Sequence, residues 1–390
     1  MPNISDTISN FLESEIAHGS LPGGLYLVGE DRRIVAEDAL GLAVVEPERI
    51  PATLDTIYDC ASLTKPLITA LLVVRAAERG ALELSAPIAR YLNEFNIAEM
   101  REITLIQLLT HTSGLPNWRP LYLEAQTRDD VPAAIARVLG EPRPHNASLD
   151  VVYSDLNYIL LGFVLERVTA DRLDLLAKRE IFGPLHLERT MFNPPPELLR
   201  QIAATEHGQE FELANAIEDA KTRSPGAGAT LASRYRRPGF SQAHWRKDVI
   251  WGEVHDGNAN FMGGVAGHAG LFSTAREVFL IANQFLPGSD LLKPASLDLF
   301  TNNLTPGRAT SRSIGWILGE TPDCSAGPAL PPTAMGHNGF TGTSIWMDPH
   351  KLRVFVLLTN RVHPRVDAID MKQIRRRFNA LAVETLERDS

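Results

Sequence analysis

The sequence predicts a mixed α/β (α+β) protein, in which an antiparallel sheet built from both chain termini is flanked by helices and a mainly helical lobe is inserted between them. Three observations predict this. Short apolar runs separated by turn residues occur near the N-terminus and recur near the C-terminus. The stretch between them carries apolar residues at helical spacing. The 390 residues are 44% hydrophobic and 22% charged, an ordinary globular balance that excludes whole-chain disorder, collagen and coiled coil. The expected division is residues 1–75 with 305–390 for the sheet-bearing lobe and 76–304 for the insert, with a site in the cleft between them.

The elements follow in chain order. Gly24 to Gly29 is a short apolar strand, Glu30-Asp31 a turn, and Arg33 to Glu37 its partner. Pro66 to Ala77 is nearly all apolar and ends before Gly80, which suits a helix followed by a C′ glycine. Thr104 reads as the cap of a short helix ending by Gly114. Asp155 to Val168 has apolar residues at 156, 159, 160, 163, 164 and 168, which is helical spacing. From Asn193 to Gly270, Pro and Gly clusters such as Ser224-Pro-Gly and Arg237-Pro-Gly predict long loops with little regular structure. Thr343 to Met347 and Leu352 to Leu358 are two strands joined by Asp348-Pro-His-Lys351, and Val366 to Leu386 is a final helix. In that helix, Lys372, Arg375, Arg376 and Arg377 read as the solvated face. No repeat of 20–50 residues is visible, which excludes solenoids and propellers.

Composition narrows the function classes. A net charge of −9 argues against a nucleic-acid partner, since polyanion binding needs clustered positive charge. Two cysteines, Cys60 and Cys324, make neither a disulfide framework nor a four-thiolate zinc site. The most apolar run, Leu67 to Val74, is about eight residues against the roughly 20 needed to span a bilayer. No basic n-region or apolar leader precedes the first strand, so the expectation is a cytoplasmic protein without a membrane partner, or an exported one if a leader was trimmed.

Three short stretches carry residues fit for chemistry. In Ser62-Leu63-Thr64-Lys65 the hydroxyl and the amine are three apart at the head of an apolar helix, so they share a face. A buried ammonium near a helix N-terminus loses proton affinity, and the first-turn N–H groups can hold an oxyanion. Read without the others, Ser62 is a cap and Lys65 a snorkelling side chain. Tyr153-Ser154-Asp155 precedes a helix, where Asp155 can cap and Tyr153 can project its phenol. His337-Asn338-Gly339 leads into a strand whose glycines permit close approach of a ligand to an edge.

Taken together and in this order, the three stretches resemble the serine β-lactamase and penicillin-binding-protein superfamily, in particular its class C-like esterase and D-alanyl-D-alanine carboxypeptidase branch. Tyr58 to Pro66, Leu108 to Leu115, Tyr153 to Tyr158 and Gly263 to Phe272 support the resemblance, which runs from about residue 20 to 365. It implies a β-lactamase/transpeptidase-like fold and one catalytic unit without a cofactor. Ser62 would be the nucleophile, Lys65 its hydrogen-bonded partner and base, and Tyr153 the proton shuttle. Asp155 stands where the β-lactamase branch usually has Asn, and His337 where it usually has Lys. Gly339 would admit the ligand, and the N–H groups of Ser62 and Phe340 would form the oxyanion hole. The implied substrates are small-molecule esters, β-lactams or peptides ending in D-alanine; the alternative is a penicillin-binding sensor or scaffold that acylates but turns over poorly.

Two departures bear on this reading. A neutral His337 holds a substrate carboxylate less firmly than Lys, which favours esters or small amides. An anionic Asp155 keeps Lys65 charged and moves the base role towards Tyr153. Elsewhere, His111 reads as a packing residue. His255, Asp256 and His268 match no standard zinc spacing and read as loop-ordering groups rather than metal ligands. Arg234, Arg236, Arg237, Arg246 and Lys247 read as a solvated basic loop. Gly-x-Ser-x-Gly and a phosphate-binding Gly-x-x-x-x-Gly-Lys-Ser/Thr loop are absent, which disfavours an α/β-hydrolase and an NTPase. Oligomeric state is not legible.

Overall fold

The computed structural model describes residues 4–97, 100–139, 150–223 and 245–388. Its main sheet has seven strands in the order β3-β2-β1-β9-β8-β7-β6. The strands are β1 (Gly23–Glu30), β2 (Arg33–Val44), β3 (Ile50–Pro51), β6 (Ile317–Leu318), β7 (Met335–Asn338), β8 (Ser344–Asp348) and β9 (Arg353–Thr359), and all pairings are antiparallel. Separately, β4 (Tyr58–Asp59) pairs with β5 (Phe272–Ser273). The two chain ends meet at β1 and β9, from Gly24 opposite Thr359 to Glu30 opposite Arg353. The first hairpin turns one residue later than the sequence suggests, through Asp31 and Arg32, whose φ angles are 48° and 62°.

Strand periodicity assigns the two faces. Tyr26, Val28, Trp346, Phe355 and Leu357 pack with Ile8, Leu12, Ile374, Phe378 and Leu386 from helices Ile4–Ala17 and Met371–Arg388. Their neighbours Leu25, Leu27, Ile345, Met347, Val354 and Val356 point the other way, into the larger core. That core holds the segment after Ser62, which begins as a wide turn over Lys65–Ala70 and continues as helix Leu71–Glu78. Behind it lies helix Asp155–Thr169, buried from Leu156 to Gly162. A buried helix has no solvent face, which explains why its apolar residues run almost all round.

Two sequence expectations change. The 193–270 region contains the 14-residue helix Glu210–Arg223 and the short helix Gly257–Phe261, not loops alone. The first escapes pattern reading because its buried positions, Glu212 and Ala216, start the stripe with a carboxylate while Phe211 is exposed. Ser224-Pro-Gly, Arg234, Arg236 and Arg237 lie outside the described residues. Second, Arg375 is not on the wet face of the last helix. It is buried, and its guanidinium donates to the carbonyls of Gly339 and Thr343, both at 3.0 Å. Its spacing from Met371 and Phe378 puts it on the inward stripe. No described helix is long and apolar enough to cross a membrane.

Candidate active site

Ser62 sits on a tight turn, Ala61–Leu63, between β4 and the buried helix. Ala61 has a left-handed φ of 46°, unusual for a residue with a side chain. Asp59 holds this turn. One carboxylate oxygen accepts the Ala61 N–H at 2.8 Å and the other accepts the His255 N–H at 2.8 Å. Burial raises the Asp59 pKa against these two bonds. Gly339 completes the apposition from the far side: a Cβ there would lie 2.0 Å from Thr343 Oγ1 and 2.8 Å from the Cys60 carbonyl. Thr341 and Thr343 donate to the carbonyls of Asp59 and Cys60, at 2.8 and 3.1 Å. The residue that sequence reading gives to ligand approach therefore admits the Cys60–Ser62 segment itself.

Lys65 is buried and donates to Ser62 Oγ at 2.8 Å and to the His268 carbonyl at 3.0 Å. Its Nζ lies 2.7 Å from an oxygen of Asp155 and 5.1 Å from the centre of the Tyr153 ring. Burial opposes its charge, but Asp155 and Tyr153 outweigh burial and Lys65 is held above its usual range. The Tyr153 phenol bonds both Lys65 and Ser62; burial raises its pKa, with the Lys65 charge pulling the other way. Asp155 is the first residue of its helix, after Ser154 at the N-cap position, so its carboxylate serves Lys65 rather than a side-chain cap.

The opposite wall is β7 and its turn. His337 is buried and its Nδ1 donates to the Asn338 carbonyl at 2.9 Å, which fixes Nε2 as the acceptor of a neutral ring. Burial, then the charges of Lys65 and Arg312, push the His337 pKa well below the ordinary range. β7 is not the edge strand; β6 is, but β6 pairs only with Met335 and Gly336, so it ends before His337. Phe340 is partly exposed, with its ring centre 5.5 Å from that of His255. Among the described residues, neither the Ser62 nor the Phe340 N–H meets a backbone acceptor.

Ser62, Tyr153, Asp155, His337, Gly339 and Phe340 line one cleft of about 990 Å³, with Lys65 beneath its floor. Arg312, which sequence reading missed, lines it too; nothing in Ser311-Arg-Ser-Ile-Gly-Trp316 distinguishes a buried arginine from a wet one. His111 bears out its packing role: Nδ1 accepts from the Ser154 N–H at 3.0 Å and faces Asn157 at 3.2 Å. His255 and His268 belong to separate pairs, with Glu206 at 2.9 Å and Asp256 at 2.8 Å. Among the described residues no group of three His, Cys, Asp or Glu is placed to hold a metal ion.

A deep cleft holding a serine, a charged lysine and a phenol in mutual contact, beneath an antiparallel sheet, defines a class of serine hydrolase-like proteins. The family model described as Beta-lactamase matches residues 6–379, and the chain belongs to that family. An N-acetylmuramyl-L-alanine amidase of Bacillus subtilis (strain 168) is 30% identical over 92% of this chain and 81% of its own length. A putative D-alanyl-D-alanine carboxypeptidase of Escherichia coli (strain K12) is 30% identical over 87% of this chain and 78% of its own. Among solved structures, a class C β-lactamase superposes with a TM-score of 0.71 at 16% identity, covering 98% of this chain and 96% of that one. EstCE1, described as a hydrolase with promiscuous acyltransferase activity, superposes at 0.70 with 19% identity and 98% coverage of both chains. At those identities the structural likeness speaks to the fold.

Proposed function

We propose that this protein is a serine hydrolase that forms an acyl-enzyme on Ser62, acting on esters, β-lactams or peptides ending in D-alanine. The observation that carries the reading is the contact of Ser62 Oγ with Lys65 Nζ at 2.8 Å, in reach of Tyr153. Lys65, held charged by Asp155, is a hydrogen-bond donor and not a base. Tyr153 is then the group that accepts the Ser62 proton as Oγ attacks the acyl carbon, while its own phenolic proton passes to the departing nitrogen or oxygen. The acyl–heteroatom bond breaks, and water later reverses the relay to free Ser62. The N–H groups of Ser62 and Phe340 hold the oxyanion. The names of the relatives, an amidase and carboxypeptidases, support amide-bond substrates alongside esters.

The test is mass spectrometry after exposure to a fluorophosphonate, together with nitrocefin and nitrophenyl butyrate followed through burst and steady state. A single adduct on Ser62 and sustained turnover are expected. An adduct on Ser113 or Ser344 would overturn the assignment. A burst without turnover would instead make the protein a penicillin-binding sensor.

A further inference from the structure

The turn that follows β7 carries Phe340, whose N–H is one of the two oxyanion donors proposed above and meets no backbone acceptor among the described residues. A peptide bond is planar, and in the trans form its C=O and N–H point in opposite directions. The Gly339 carbonyl and the Phe340 N–H belong to one such trans unit. Whatever grips that carbonyl therefore aims that N–H. The grip comes from Arg375, near the start of the last helix, Met371–Arg388. Its Nη2 donates to the Gly339 carbonyl and to the Thr343 carbonyl, each at 3.0 Å, so one guanidinium nitrogen ties both ends of the turn. Within the turn, the Gly339 N–H donates to the Thr343 carbonyl at 2.7 Å and the Gly342 N–H to the Gly339 carbonyl at 3.2 Å. Arg361 Nε donates to the next carbonyl, that of Phe340, at 2.9 Å.

A buried charge is a costly way to hold a turn. Arg375 is 8% exposed, and its Nε is enclosed without an acceptor. Burial and the neighbouring charge of Arg361 lower its pKa to about 9, which still leaves it protonated at neutral pH. A neutral donor would meet the same carbonyls without the desolvation of a cation. What the charge adds is polarisation. A cation on a carbonyl oxygen deepens the dipole of the whole peptide unit and makes its N–H a stronger donor.

We infer that Arg375 is a positioning residue for acyl transfer: through the Gly339 carbonyl it aims and polarises the Phe340 N–H at the oxyanion, a role that rests on the acyl-transfer reading above. It works through a peptide unit and not on the reacting atoms. Its effect falls on the transition state, where the acyl oxygen carries charge, more than on the bound ester, whose carbonyl is neutral.

The test separates transition-state from ground-state effects. Phenylboronic acid forms a tetrahedral, anionic adduct on a nucleophilic serine and so mimics the transition state. In R375M, kcat/KM for nitrophenyl butyrate and affinity for phenylboronic acid are expected to fall together by about tenfold, less than the roughly 10²–10³ of deleting an oxyanion donor. R375K is expected to restore part of both. In the S62A background, Arg375→Met should leave affinity for the unreacted ester within about twofold. Unchanged kcat/KM in folded R375M overturns the inference. So does an equal loss of ester affinity in the S62A background, which would mean that Arg375 only shapes the cleft, and so does a loss that R375K does not relieve. If R375M does not fold, R375Q takes its place under the same outcomes, and the wild-type protein supplies an independent one. With isotope labels on glycine carbonyls and phenylalanine amides, only the Gly-Phe peptides at 162–163, 239–240 and 339–340 give a carbonyl-to-amide NMR signal. The 339–340 signal, assigned by its loss in F340L, should move downfield when phenylboronic acid binds. An adduct that leaves it unmoved overturns the inference while keeping Ser62 as nucleophile. Failure of the acyl-transfer reading shows separately, as absence of any Ser62 adduct.

Discussion

Lys65 and Arg312 are both buried cations beside the Tyr153 ring, and their surroundings are opposite. Lys65 has Asp155 at 2.7 Å and spends its remaining donors on Ser62 and a carbonyl. Arg312 has enclosed donors with no acceptor and no carboxylate among the described residues. A charge paired within the protein organises the protein's own groups; a buried charge without such a pair keeps the cost of its burial. One wall of the cleft thus has its cation paired within the protein, and the other holds a buried cation that meets no carboxylate among the described residues.

The comparison can be broken most severely on the Lys65 wall. Ser62→Ala should lower turnover of every substrate by about a thousandfold or more, nitrocefin and nitrophenyl butyrate alike, because members of a catalytic unit fail together. Tyr153→Phe should cost roughly 10²–10⁴-fold, the range for a lost proton-transfer group. Steady-state rates on nitrocefin and nitrophenyl butyrate check both; a loss confined to one substrate would mean that these residues select substrate rather than carry the chemistry.

Asp155→Asn takes the carboxylate from Lys65 and leaves it the Ser62 hydroxyl and the His268 carbonyl as acceptors. The Lys65 pKa should fall, so the alkaline limb of kcat/KM moves to lower pH by about one unit. A rise in activity at neutral pH would instead make neutral Lys65 the base. The stability lost in this variant has a definite window. A raised Lys pKa contributes stability that is fully present below the unfolded value near 10.4 and vanishes as pH climbs through the folded value. The stability gap between the two proteins, read by denaturant unfolding, should narrow above that pH.

On the Arg312 wall, His337→Lys puts an ammonium in place of a buried neutral ring that already lies near the charges of Lys65 and Arg312. A stability loss of about 1–3 kcal/mol is expected, with lower activity against neutral esters. The smallest effect concerns pH alone. His337 and His111 are kept neutral by burial, so their pKa values are lowered. Unfolded histidines protonate near 6.5, so unfolding free energy should decline below that pH. The slope approaches about 1.4 kcal/mol per pH unit for each ring. His337→Gln should flatten it; an undiminished slope would place the proton uptake elsewhere.

What the sequence made legible depends on whether chemistry or packing dictated the residue. Ser62, Lys65, Tyr153 and Asp155 are marked by spacing within short motifs, and the structure gathers them within contact distance. Asp59 and the actual work of Gly339 were harder to read, because each is defined by a distant segment: the Asp59 carboxylate holds the His255 N–H, and Gly339 lies against the Cys60 carbonyl. Arg375 was readable from its place on an apolar helical stripe, but three consecutive arginines look like a wet face. Arg312 carries no pattern at all: its burial beside the Tyr153 ring comes from three-dimensional packing alone. The strands at the chain ends were legible because both alternate residue by residue between two cores.

The pairing of β1 with β9 has a consequence for synthesis. The first strand of the sheet waits for residues near 359 before its central partner exists, and the turn bearing Ser62 waits for Gly339 to Thr343 to press against it. A chain emerging from the ribosome can assemble its helices early, from local contacts, but such long-range pairing comes late and slowly. The nascent protein thus carries its serine for most of translation without a finished cleft around it.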